Sequence, residues 1–231
     1  MRKMRKKIAG MIPEYSLFPL ILALLFNTAV YNGARLIAGG WYHYNMESSL
    51  DRLIPFWPPA VLVYLGCYLF WAVNYIIIAR QGKREVYQFF KGDFLSRIIC
   101  LICFLSLPTT NIRPFVEAEG IWNQAVLWLY SVDAADNLFP SIHCLVSWLC
   151  YIGIRGRKSV SVWYRGFSCV MALLVCASTL FTKQHVLVDV IGGVLLAELC
   201  FYLGKRNEDT GIYGQIMDKI SKRLCVKEGR V

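Results

Sequence analysis

The sequence predicts an all-α protein, a polytopic membrane helix bundle of about six transmembrane helices, on three observations. Hydrophobic residues make up 57% of the 231 positions and charged residues 17%, against roughly 45–50% and about 25% in an ordinary soluble domain. The apolar residues gather in runs near the length of about 20 that a helix needs to cross the hydrocarbon core. The basic residues fall in short clusters between those runs, as in the cytoplasmic loops of membrane proteins.

Taken in chain order, the apolar runs place spans at 16–38, 59–79, 94–109, 121–130 continuing into 140–154, 166–182 and 186–204. The fourth run is broken. Its first part is too short to span, so 121–130 reads as a surface or re-entrant helix and 142–154 as the crossing segment. Residues 1–7 are basic and precede a first run longer than the 7–15 residues of a signal-peptide core, so that run reads as a retained helix. Residues 207–231 are polar and basic, a short cytoplasmic helix or tail.

Charge then sets orientation. Arg2, Lys3, Arg5, Lys6 and Lys7 precede the first span; Arg80, Lys83, Arg84 and Lys91 follow the second; Arg155, Arg157, Lys158 and Arg165 follow the fourth; and Lys205 and Arg206 follow the sixth. The alternate loops carry only Arg35, Arg52, Arg113 and Lys183. By the positive-inside rule both termini are cytoplasmic, and 39–58, 110–141 and 183–185 face outward. Arg97, near the cytoplasmic end of its run, is expected to snorkel to the interface. The chain divides into a basic tail (1–15), a transmembrane domain (16–204) and a C-terminal tail (205–231), in a cell membrane.

The net charge of +10 forms no single basic stripe, which argues against a nucleic-acid partner and for the bilayer itself. Eight of the nine cysteines lie in or beside apolar runs. Cys100 and Cys103 read CxxC, but inside a predicted span, so the cysteines read as small packing residues. His43, among Trp41, Tyr42 and Tyr44, reads as part of an aromatic interfacial loop.

Three polar segments meet on the outer side: Asn111-Ile112-Arg113-Pro114, Pro140-Ser141-Ile142-His143, and Lys183 through Asp189. Polar groups near membrane depth are costly and usually functional. His185 and Asp189 are four apart, one face of a helix, where an acid can fix the imidazole tautomer and free the other nitrogen for attack. The same pair could simply satisfy two buried groups. Ser141 is placed to cap a helix and turn its first amides, that of Ile142 included, toward an anion. His143 would then donate a proton to a leaving oxygen, or else be an interfacial histidine. Arg113 matches a pair of phosphate oxygens, or pairs with Glu117, Glu119, Asp133 or Asp136. Lys183 is a second candidate phosphate contact.

In order and spacing these segments resemble the type-2 phosphatidic acid phosphatase (PAP2) superfamily, whose pattern is K-x6-R-P, then P-S-x-H, then S-R-x5-H-x3-D on six membrane helices. Here Arg113-Pro114, Pro140-Ser141-Ile142-His143, and Ser178-Thr179 followed by His185 and Asp189 fill it over residues 94–204. Ser106 stands where the family has lysine, and Thr179 where it has arginine. The run from Ser178 to His185 is similar to the branch near inositol phosphorylceramide and sphingomyelin synthases, which transfer headgroups between lipids.

The resemblance implies a lipid phosphate phosphatase of phosphomonoesters or diphosphates. His185 is the implied nucleophile, Asp189 its orienting acid and His143 the proton donor. Arg113, Ser141, the amide of Ile142 and Lys183 would hold the phosphate oxygens, with Lys183 replacing one missing cation. No cofactor or metal is implied, and no dense carboxylate cluster is present for one. Two alternatives remain open: a headgroup phosphotransferase of the same fold, and a non-catalytic lipid-binding or transport protein.

Overall fold

A computed structural model describes residues 12–206 and 211–228, with side chains to residue 221. The basic residues 2–7 lie outside that range. Nine α-helices follow one another among the described residues: α1 (Glu14–Ala38), α2 (Ser49–Leu53), α3 (Val61–Ala79), α4 (Lys83–Ser106), α5 (Gly120–Val132), α6 (Ile142–Ile154), α7 (Val162–Phe181), α8 (Leu187–Arg206) and α9 (Gly211–Glu228). Two dipeptides, β1 (Tyr44–Asn45) and β2 (Thr109–Thr110), pair in parallel. Pairing over two residues is too short for alternation to announce it in sequence. It nonetheless ties the 39–58 loop to the end of α4.

Among the described residues, four helices are long and apolar enough to cross a membrane: α1, α3 with the 3₁₀ turn before it (Pro58–Ala79), α7 and α8. Helix α6 is apolar but has 13 residues, about 20 Å at 1.5 Å per residue, shorter than the hydrocarbon core. The broken fourth run is therefore two helices, α5 and α6, separated by 133–141.

Helix α4 differs most from its expected span. It starts at Lys83, eleven residues before position 94, and has 24 residues, about 36 Å. Lys83, Arg84 and Lys91 thus lie on a helix, leaving only 80–82 as the connection. The early start follows from burial of its first turns: Val86, Tyr87, Phe89 and Phe90 belong to the core.

Arg97 is corrected as well. It is 2% exposed, and its Nη2 donates to Asp93 Oδ1 at 2.9 Å. Tyr75 OH donates to the same oxygen at 2.8 Å. A guanidinium that has a buried carboxylate one turn away has no need to reach for the interface.

The bundle is built from pairs: α1 on α4, α4 on α8, α8 on α6, and α6 on both α3 and α7. The amphipathic α9 returns to α1, and Asp218 on it accepts from Lys83 Nζ at 2.8 Å and Tyr87 OH at 2.7 Å. Close approach needs small residues. A Cβ on Gly204 would lie 2.4 Å from the Gln88 carbonyl, and one on Gly92 would lie 2.6 Å from that of Cys200. These two glycines bring α4 and α8 backbone to backbone.

Candidate active site at one end of the bundle

Helix α7 ends in a Schellman motif, which determines where His185 sits. The Lys183 amide donates to the Leu180 carbonyl at 3.1 Å and the Gln184 amide to that of Thr179 at 2.9 Å. Lys183 takes φ +53°, the left-handed position that such a motif requires. The His185 amide also donates to the Thr179 carbonyl, at 3.1 Å. His185 therefore precedes α8 rather than riding on it, and its relation to Asp189 spans the helix start. Asp189 Oδ2 accepts from the Val186 amide at 3.0 Å and lies 3.3 Å from His185 Nδ1.

The 39–58 loop secures the same turn from outside. Ser48 and Asp51 form a capping box at α2. The other Asp51 carboxylate oxygen accepts from the Leu187 amide at 2.7 Å, so one acid caps two helices. Lys183 Nζ donates to the carbonyls of Asp51 at 2.9 Å and Ile54 at 2.6 Å. Burial works against ionisation of Asp51, but bonds from Ser48 and Leu187 outweigh it and hold the carboxyl below its ordinary value.

Helix α6 starts beside this turn. Ser141 is its N-cap, accepting from the Cys144 amide at 3.3 Å, and the Ser141 amide donates to the Asp189 carbonyl at 3.1 Å. His143, in the first turn, faces His185 with ring centroids 6.0 Å apart. Both line a cavity of about 240 Å³, together with Ile142, Gln184, Asp133 and Asp136. Tyr68, Trp71 and Trp128 give it aromatic walls, and Asn27, Thr28, Tyr31 and Asn32 close it from just past the midpoint of α1.

The cavity thus brings together His143, His185 and Ile142, with Asp189 buried directly behind His185. It does not take in the other expected contacts. Ser141 is fully buried as a cap. Lys183 is engaged with the 51–54 carbonyls and lines a separate, smaller cleft on the far side of His185. Arg113 stacks on Tyr130, its guanidinium carbon 4.4 Å from the ring centroid. It donates to the Asp133 carbonyl at 2.7 Å and to Gln184 Oε1. Ser106 is exposed at the end of α4, and Thr179 Oγ1 donates to the Cys176 carbonyl at 2.8 Å. No lysine or arginine lines the main cavity among the described residues.

Two participants escaped the sequence reading, and a third, Asp133, entered it only as a possible partner of Arg113. Gln184 is 2% exposed, lines the cavity, and its Nε2 has no hydrogen-bond partner among the described residues. That leaves the amide nitrogen, with its two N–H donors, unpaired at the cavity wall, its orientation set by the bond from Arg113 to Oε1. Asp133 accepts from Tyr31 OH and Tyr64 OH, each at 2.6 Å. The polar strip of α1 was legible only as residues 27, 28, 31 and 32, a helical face inside an apolar run.

Electrostatics separates the acids and bases. Burial alone would lower the His185 pKa, but the hydrogen bond and charge of Asp189 outweigh it and raise it above its usual value. Burial opposes ionisation of Asp133, yet His143, the two phenols and His185 hold its carboxyl below the ordinary range. Among the described residues no group of three His, Cys, Asp or Glu is arranged to hold a metal. What the arrangement offers is two imidazoles facing one space, one backed directly by a carboxylate, and helix-start amides beside them.

An uncharacterized protein of Methanocaldococcus jannaschii is 29% identical over 161 residues, covering 65% of this chain; the chain spans about 61% of that relative's length. No solved structure matches. The family model described as the PAP2 superfamily matches residues 41–203. That stretch holds both histidines and Asp189 and is well over half of the sequence, so the chain belongs to the PAP2 superfamily.

Proposed function

We propose that this protein is a membrane-embedded phosphatase of lipid phosphate esters or diphosphates, working through a phosphohistidine at His185. The observation that carries the reading is the pair of imidazoles 6.0 Å apart across one cavity. Asp189 occupies Nδ1 of His185, so the Nε2 lone pair is the one free to form the P–N bond. The P–O bonding pair leaves with the alkoxide oxygen, which takes a proton from Nε2 of His143. Water then attacks phosphorus and returns a proton to His143, and the P–N pair goes back to His185. The Gln184 amide and the first amides of α6 are placed to hold the phosphoryl oxygens. Arg113 contributes from one layer behind by orienting Gln184. The charge distribution of the loops supports an active site on the extracytoplasmic face with cytoplasmic termini.

A second reading has its own support. A cavity lined by Asp133 and Asp136 and by no lysine or arginine suits a phosphodiester, with one negative charge, better than a dianionic monoester. Transfer of a headgroup to a lipid alcohol is therefore the rival.

Purified protein offered phosphatidic acid, a polyprenyl diphosphate and a set of phosphodiester lipids decides between them. Release of inorganic phosphate, with acid-labile label trapped on wild type and His185→Ala reduced at least about a thousandfold, is the expected result. Exchange of headgroups without free phosphate would overturn hydrolysis in favour of transfer. No turnover of any lipid, equal for wild type and His185→Ala, would make this a lipid-binding member of the superfamily.

A further inference from the structure

The two histidines differ in what stands behind them, and the difference assigns a role to Asp133. His185 has Asp189 at its Nδ1. Among the described residues, His143 has no carboxylate within hydrogen-bond distance. Its Nδ1 lies 3.3 Å from Tyr64 OH, and its Nε2 lies 3.4 Å from Tyr68 OH at the cavity. Tyr64 is fully buried, and its ring lies 4.4 Å from the imidazole, centroid to centroid.

A phenol has one proton to give. The short 2.6 Å contact to Asp133 Oδ2 takes it, because an ionised carboxylate only accepts. Tyr64 OH can then only accept from His143. We propose that Asp133, acting through the Tyr64 hydroxyl, positions His143 and holds a proton on its Nδ1, making Nε2 the nitrogen that delivers the proton to the leaving group. Asp133 and Tyr64 are positioning residues, since neither needs to touch the reacting atoms. Each imidazole of the pair is thus backed at Nδ1 by an acid, one directly and one through a phenol. The indirect link suits the proton donor. It steadies the imidazolium without the full charge contact that would make it a poor acid.

The kinetic consequence rests on the phosphatase reading above; the tautomer does not. Both are measured. The chain has three histidines, so ¹⁵N-histidine labelling in detergent resolves each ring, with His143→Gln as the assignment control. At alkaline pH, neutral His143 is expected to carry its proton on Nδ1, and Tyr64→Phe or Asp133→Asn is expected to shift it toward Nε2. A wild-type ring protonated on Nε2, or one indifferent to both substitutions, would overturn the proposal even if neither variant were active.

In turnover, Tyr64→Phe and Asp133→Asn are expected to lower kcat about a hundredfold on dioctanoylglycerol phosphate, whose leaving alkoxide needs a proton. On p-nitrophenyl phosphate, whose leaving group does not, the fall is expected to be below about threefold. Tyr31→Phe, which removes the other phenol from Asp133 but leaves the link to His143, is expected to keep the ratio of the two rates. Equal losses on both substrates would reduce Asp133 to a structural tie. Wild type inactive on both would defeat the phosphatase reading and leave the tautomer to decide this one.

Discussion

At the scale of single residues, the proposed mechanism turns on the two nitrogens of His185. The Asp189 contact raises its pKa, so the neutral nucleophile is lost as pH falls through a value above the ordinary ~6.5. Asp189→Asn is expected to move the acid limb of kcat/KM toward lower pH while lowering the plateau; an unmoved limb would dissociate the pair. The sign for stability is opposite. The protonated pair stabilises the fold fully below about pH 6.5, and that contribution disappears as pH rises through the elevated value. His143, His185 and Asp189 were legible in the sequence because local spacing carries them. Asp133 was legible only as a possible partner of Arg113, since Tyr31 and Tyr64, which bond its carboxylate, lie 102 and 69 residues away. Gln184 was quoted within its segment without a role, because only the Schellman turn shows which way its amide points.

At the scale of elements, the decisive contact is between α6 and α8. A Cβ on Gly193 would lie 2.6 Å from the Ser141 carbonyl and 3.2 Å from the Leu145 amide. Neither backbone atom can yield without moving the start of α6, and His143 with it. Gly193→Ala is expected to cost about 1–3 kcal/mol in thermal unfolding and about a hundredfold in turnover, the penalty of roughly an ångström of misplacement. Activity within threefold of wild type would show that the α6 start tolerates the shift. Helix existence was largely legible from apolar runs, whereas helix starts were not. Helix α4 begins among charged residues because Val86, Tyr87, Phe89 and Phe90 already belong to the core, and no hydropathy window separates buried aromatics between lysines from a loop.

At the scale of the whole molecule, the two ends of the bundle are chemically distinct. One gathers β1, β2, α2, α5 and the histidine cavity; the other gathers the basic ends of α4 and α8 and the docked α9. Between them, Arg97 and Asp93 form an ion pair whose side chains are 2% and 1% exposed, respectively. Removing either partner alone would leave an uncompensated buried charge, so Arg97 belongs to the fold rather than to the interface where the sequence placed it.

The wall that α1 gives the cavity has a consequence for how encounter is counted. Thr28 and Asn32, which line the cavity, are exposed on the outer surface of a helix long and apolar enough to cross a membrane. On the proposed function, a lipid reaching His185 past that face would keep its acyl chains in the bilayer and avoid about 0.8 kcal/mol for each methylene drawn into water. Collision is then two-dimensional. In mixed micelles the rate is expected to follow the mole fraction of substrate in the detergent and to fall when detergent is added at constant total lipid. A rate set only by bulk concentration would mean that the substrate arrives from water.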